Sequence, residues 1–165
     1  AGIIVGKRKY IDEMKKNPLT RAFRVDKFTI SALESTLKLY LDEEQAVKKI
    51  PTLNMLTISL DELEDKAKRL KDILYNELDN KIEIEIVDEF SEVGGGSLPL
   101  EKLPTKCLTL FPKEMSVSKF EKNLRGYKIP IITRVYKDKI YLDLRTIKSS
   151  EFGIVLNGII YALEG

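Results

Sequence analysis

The sequence predicts an α+β fold in which helices pack on a mainly antiparallel sheet, preceded by a helical segment that opens on a short β-branched run. Three observations predict it: a long amphipathic helix over 59–79, alternating or β-branched runs after it, and a closing apolar helix from about Ser149. Hydrophobic residues make up 43% of the chain and charged residues 33%, so there is enough apolar surface for a core. At 165 residues the chain suits one compact domain with an attached element.

In chain order, Ala1–Val5 is a short β-branched run closed by Gly6 and reads as the end of a buried parallel strand. Lys7–Lys16 carries Tyr10, Ile11 and Met14 at helical spacing. Asn17 before Pro18 has the form of an N-cap followed by proline at the first helical position, which would leave N–H groups exposed. From Asp26, a second N-cap, a long helix is expected to about Glu43 with Leu33, Leu37, Tyr40 and Leu41 on one stripe. Glu43–Lys49 is polar, and Ile50-Pro51-Thr52 breaks the helix, which places a domain boundary nearby.

Ser59 and Glu62 form a capping box, and Leu60, Leu63, Ala67, Leu70, Leu74 and Leu78 mark one apolar face that needs a sheet to cover. In 81–87, Ile82, Ile84 and Ile86 alternate with Glu83 and Glu85, giving an apolar face and an acidic, solvated one. A second strand is expected over about 105–111. Ser118 and Glu121 suggest a cap for a short helix carrying Phe120 and Leu124, and 129–136 with 139–144 read as a hairpin around Lys137-Asp138. The closing helix turns Phe152, Val155, Leu156, Ile159, Ile160 and Leu163 to one side.

Composition excludes several chemistries. A single cysteine, Cys107, closes no intrachain disulfide, and the absence of histidine removes a Ser-His-Asp triad and any base to activate that thiol. Cys107 is expected to be a small core residue and no metal site is expected. The longest early apolar run, Ile3-Ile4-Val5, is too short for a signal or membrane segment, so a cytoplasmic, non-membrane protein is expected. The net charge of +2 leaves no overall nucleic-acid footprint, so any such contact needs a local patch.

Arg21 and Arg24 stand three apart, which on a helical turn sets two guanidinium forks on one face, suited to hold a phosphate-like oxyanion. A solvated basic face is the plainer alternative. The Gly94-Gly95-Gly96-Ser97 loop permits close backbone approach to a ligand but lacks the frame of a P-loop, so a flexible turn stays open beside a substrate contact. Arg134 and Arg145 are expected in salt bridges.

The runs Ala1–Lys7 and Asn17–Lys27, then Ile50-Pro51-Thr52 with Met55-Leu56-Thr57, Val93–Pro99 and Leu142-Asp143-Leu144-Arg145-Thr146, resemble bacterial L-seryl-tRNA(Sec) selenium transferase (selenocysteine synthase). The resemblance covers essentially the whole chain. It implies the carboxy-terminal part of a pyridoxal-phosphate (PLP) enzyme of the aspartate-aminotransferase type (fold type I). Residues 1–50 would be the end of the large domain and a linking helix, and 51–165 the small α+β domain. The cofactor lysine would lie just before Ala1, outside this chain, leaving the chain inactive alone. The implied reaction converts seryl-tRNA(Sec) to selenocysteinyl-tRNA(Sec) with selenophosphate as donor, in a cytoplasmic homo-oligomer shaped as a ring of dimers. Arg21 and Arg24 would be active-site residues that hold selenophosphate, and the Gly94–Ser97 loop would face the cleft. Two alternatives remain. One is a non-catalytic tRNA-binding or oligomerisation module, with Lys66, Lys68, Arg69 and Lys71 as a basic cluster, and the other a related PLP enzyme acting on a small amino acid or amino sugar.

Overall fold

A computed structural model describes residues 2–78, 80–94 and 102–165. Backbone packing divides the chain into two compact units, Ala1–Asn54 and Met55–Gly165.

The first unit is helical. It holds α1 (Arg8–Lys16), α2 (Leu19–Ala22), α3 (Lys27–Leu39), α4 (Glu43–Lys49) and the start of α5 (Pro51–Thr57). Residues 2–7 form no strand and are exposed, contrary to the expected strand end, because a strand needs a neighbour to pair with and none of the described residues supplies one. Asp26 caps α3 as expected, accepting from Thr29 N at 2.8 Å. The long helix expected to about Glu43 ends at Leu39, and the polar segment from Glu43 forms a helix of its own. Asp42 takes extended geometry and accepts from Gln45 N at 3.1 Å, so a second cap starts α4 after a turn at Tyr40. Ile50 is extended, as a residue before proline must be, and Pro51 opens α5 rather than only ending α4. Ala46 alone is fully buried among the described residues of this unit, while Phe28 and Leu41 are each 89% exposed.

The second unit carries the core. α6 (Leu60–Glu77) starts on Ser59, whose Oγ accepts from Glu62 N at 3.2 Å. Leu63, Ala67, Leu70 and Leu74 are fully buried, whereas Leu60, in the first turn, stays 44% exposed. The sheet has the order β1-β2-β4-β3, all antiparallel: β1 (Ile82–Glu92), β2 (Lys102–Pro112), β3 (Arg134–Tyr136) and β4 (Lys139–Asp143). β1 and β2 pair from Ile82↔Pro112 to Glu92↔Lys102; β1 runs five residues past its expected end and β2 begins three residues before its expected start. Pro104 is tolerated in β2 because β4 pairs only with residues 107–110, and beyond that point the edge needs no N–H.

Ile82, Leu108, Leu110, Ile140 and Leu142 share one face and join α6, α7 (Val117–Gly126) and α8 (Phe152–Glu164) in a single core. Ser116, not Ser118, caps α7, accepting from Lys119 N at 3.3 Å; the Ser118/Glu121 pair matched the capping pattern two residues too late. Lys137 and Asp138 both take positive φ, 48° and 57°, which matches a two-residue hairpin turn to the sheet's twist. Residues 129–133 are irregular, so β3 is shorter than expected. At Gly158 on α8 a Cβ would collide with the Ile131 side chain, so glycine permits this segment to lie on the helix.

Candidate functional site

Lys16 ends α1, and the chain turns sharply into α2. Asn17 Oδ1 accepts from Leu19 N at 3.0 Å, and Thr20 Oγ1 donates to Met14 O at 2.6 Å, tying the two helices together. Pro18 sits at the cap position rather than the first helical one, and the amides of Thr20 and Arg21 are bonded to the carbonyls of Asn17 and Pro18. The exposed N–H groups expected there are therefore already satisfied, and any anion site must be made of side chains.

Arg21 lies within α2, but the helix ends at Ala22 and Phe23 leaves helical geometry (φ −95°, ψ 3°), so Arg24 stands in the following extended segment. The two guanidinium groups do not share a helical face. They nonetheless line one concavity, together with Lys15, Lys16, Phe23 and Val25, and all four cationic side chains are exposed. None of them has an acidic partner among the described residues; Asp12 pairs with Arg8 at 3.4 Å and Asp26 is held by its cap. Four like charges around one hollow, without a carboxylate, favour a bound anion.

Gly94 lies in a turn after β1, and Gly95, Gly96 and Ser97 lie outside the described residues. Arg134 meets expectation: it pairs with Glu89 at 3.2 Å and lies over the Tyr141 ring, 5.1 Å from its centroid. Arg145 does not. It is only 8% exposed and donates to two main-chain carbonyls, Met55 O at 2.6 Å and Pro104 O at 2.5 Å, with no carboxylate paired to the guanidinium among the described residues. Burial depresses its pKa, opposed by the nearby Asp143 charge. Asp143 in turn gathers the hydroxyls of Ser91 and Thr105 and the amide of Arg145. Sequence reasoning missed this knot because its members are separated by up to 90 residues.

The basic cluster expected on α6 is dispersed. Lys66 is buried and donates to Leu144 O at 2.6 Å, Lys68 pairs with Glu64 at 2.8 Å, and Arg69 reaches Asp65 O and Ser149. Burial lowers the Lys66 pKa. Its folded value then lies below the unfolded 10.5, so in the window between them the unfolded chain holds a proton the folded chain has released, and stability rises with pH there. Lys66→Met should flatten this rise when urea midpoints of the two proteins are compared across that alkaline window.

Cys107 is buried, and that burial pushes its thiol up to about 12, so it is inert at neutral pH. Glu85 pairs with Lys139 at 2.6 Å on the solvated face of the sheet, and that contact lowers its pKa. Among the described residues no group of three His, Cys, Asp or Glu side chains is placed to hold a metal ion, and no helix is long and apolar enough to cross a membrane.

Comparison with known proteins gives this arrangement its context. The chain is 54% identical over 159 residues to the L-seryl-tRNA(Sec) selenium transferase of Alkaliphilus metalliredigens, covering 96% of the chain and 34% of that relative. It is 54% identical over 158 residues to the same enzyme of Alkaliphilus oremlandii (94% and 33%), and 50% identical over 159 residues to that of Clostridium perfringens (96% and 34%). The chain thus spans about a third of the length of the curated relatives it matches. A family model described as L-seryl-tRNA selenium transferase matches residues 1–148. On these matches the chain belongs to the L-seryl-tRNA selenium transferase family.

Proposed function

We propose that the chain is the carboxy-terminal part of a PLP-dependent enzyme that converts seryl-tRNA(Sec) to selenocysteinyl-tRNA(Sec), and that Arg21 and Arg24 hold its selenium donor, selenophosphate. The observation that carries the site assignment is the concavity lined by both arginines, with no acidic side chain among its described lining residues. A phosphate-like group there would accept charge-assisted hydrogen bonds from both forks and relieve their mutual repulsion. The arginines would orient the donor, leaving its selenium free to be transferred.

The residues of this chain do not fit as the anchor of PLP. The one buried lysine among the described residues, Lys66, spends its hydrogen bond on Leu144 O inside the packed layer. In this reading the cofactor lysine, as the family resemblance implies, belongs to a part of the protein outside this chain, and the chain alone would be inactive. In the same reading, 1–50 end the large domain of an aspartate-aminotransferase-type fold and link it to the small domain at 51–165. The scarcity of buried residues in the first unit supports a surface that another part of a larger cytoplasmic homo-oligomer covers.

The test uses the full-length protein with Arg21→Ala and Arg24→Ala made separately. Each should slow selenium transfer from selenophosphate by about 10–100-fold, the worth of a hydrogen bond to a charged group. PLP absorbance and tRNA affinity, recorded alongside, should stay as in the parent. Undiminished transfer would return the arginines to a solvated basic face.

A further inference from the structure

We infer that a hollow beside the open end of β4 binds an organic ammonium ion with an apolar body, its charge facing the carboxylates of Glu92 and Glu151. The site lies wholly in the second unit and shares no residue with the concavity of Arg21 and Arg24.

The sheet edge makes the hollow. β3 covers β4 only as far as Tyr141, so Leu142 and Asp143 have no strand beside them on that side among the described residues. The irregular 129–133 segment is drawn away from the sheet here: Ile131 N donates to Leu124 O at 3.0 Å, and the Ile131 side chain lies against Gly158 of α8. Between this segment, the end of β4 and the start of α8 remains a cavity of about 610 Å³, the size of a small-molecule pocket. Its walls are largely apolar, with Ile129, Ile132, Leu142, Ile147 and Ile154 among them. Phe90 and Ile132 also line it and are 53% and 67% exposed, apolar surface that an occupant would cover.

Charge decides what kind of occupant fits. The charged residues lining the hollow are Glu92, Arg134, Asp143 and Glu151. Arg134 is already paired with Glu89, whereas among the described residues none of the three lining carboxylates is in a salt bridge. Asp143 spends both oxygens on Ser91, Thr105 and the Arg145 amide. Glu151 accepts only from Lys148 N, at 2.8 Å, and Glu92 has no side-chain hydrogen bond among the described residues, so these two keep free acceptor oxygens. An anion would meet three carboxylates against one guanidinium that is already spent. A neutral apolar molecule would leave those carboxylates without a counter-charge, and a cation with an apolar body matches both parts of the lining.

The experiment titrates dansyl probes of differing charge into the full-length protein and reads their fluorescence: dansylcholine is a cation, dansylamide neutral and dansylglycine an anion. The dansylcholine ammonium carries no N–H, so it forms no imine with a carbonyl group. It should bind with a Kd of about 10–1000 μM, as a drug-sized ligand of modest efficiency does. Dansylamide should bind more weakly and dansylglycine more weakly still. Removing both charges (Glu92→Gln with Glu151→Gln) should weaken dansylcholine about 3–20-fold, the worth of two partly exposed charge pairs, and leave dansylamide unchanged. Glutamine keeps an acceptor for Lys148 N, so this variant should retain the parent's circular dichroism. Ile154→Trp, which fills the hollow from α8, should weaken every probe that binds. Raising the salt concentration should weaken dansylcholine alone. A dansylcholine Kd above about 1 mM, equal affinity for all the probes, or unchanged dansylcholine affinity in either variant would overturn the inference.

Discussion

Arg145→Ala should lower the stability of the second unit by roughly 3–5 kcal/mol, read as a fall in the urea midpoint without a change in slope. Arg145 joins three places distant in sequence: its own loop after β4, Met55 in α5 and Pro104 in β2. Removing the side chain leaves both carbonyls without their donor, each costing about 1–3 kcal/mol where water cannot replace it. The charge itself is expensive to bury, as its depressed pKa indicates, so part of the loss is returned when the guanidinium goes. Arg145→Lys should fall between the two, because an ammonium keeps the charge but cannot span two carbonyls with a rigid fork. A change below about 1 kcal/mol in Arg145→Ala would show that water or a neighbour takes over both acceptors.

Phe120→Ala should cost about 3–5 kcal/mol, comparable to much of a small domain's total stability. Phe120 is completely buried in α7, one turn from Val117 and one from Leu124, in the core that α7 shares with α8 and the sheet. The loss combines the transfer of a ring to water with the cavity left behind, since a layer held between a helix pair and a sheet collapses only in part. Phe120→Leu keeps most of the volume and should cost under about 1.5 kcal/mol. Thermal unfolding that showed the two variants alike would place Phe120 in a loosely packed site instead.

Much of the second unit was legible because its signals are local. The Leu63–Leu78 stripe, the Ile82-Ile84-Ile86 alternation and the Lys137-Asp138 turn each arise within a few residues, and the structure shows the helix, strand and hairpin they predict. Errors fell where two local signals competed. Ser118 with Glu121 matched a capping box, but the cap of α7 is Ser116, which has no glutamate three residues on to mark it. Asp42 was overlooked as a cap because the polar run after it masked the break between α3 and α4. The Ala1–Val5 run reads as a strand in isolation, but a strand exists only with a partner.

At the candidate site, the sequence supplied the arginine pair and the family resemblance supplied a role for it. Helical spacing suggested a shared face, whereas the structure ends α2 between the two arginines and brings them to one hollow by a turn. The lysines and Phe23 that join them carried no separate sequence signal.

The sequence by itself determined the α+β class, the core-facing sides of α6 and α8, the inertness of a lone cysteine without histidine, and membership of the selenium transferase family. Tertiary structure alone decided which charges are free. Lys66 and Arg145 look like surface cations in a linear reading, yet the fold draws both inward to main-chain carbonyls, while Lys15, Lys16, Arg21 and Arg24 have no acidic partner among the described residues. The reason is physical: periodicity records which side of an element is apolar, but the partner of a long cationic side chain is set by chain segments that meet only on folding.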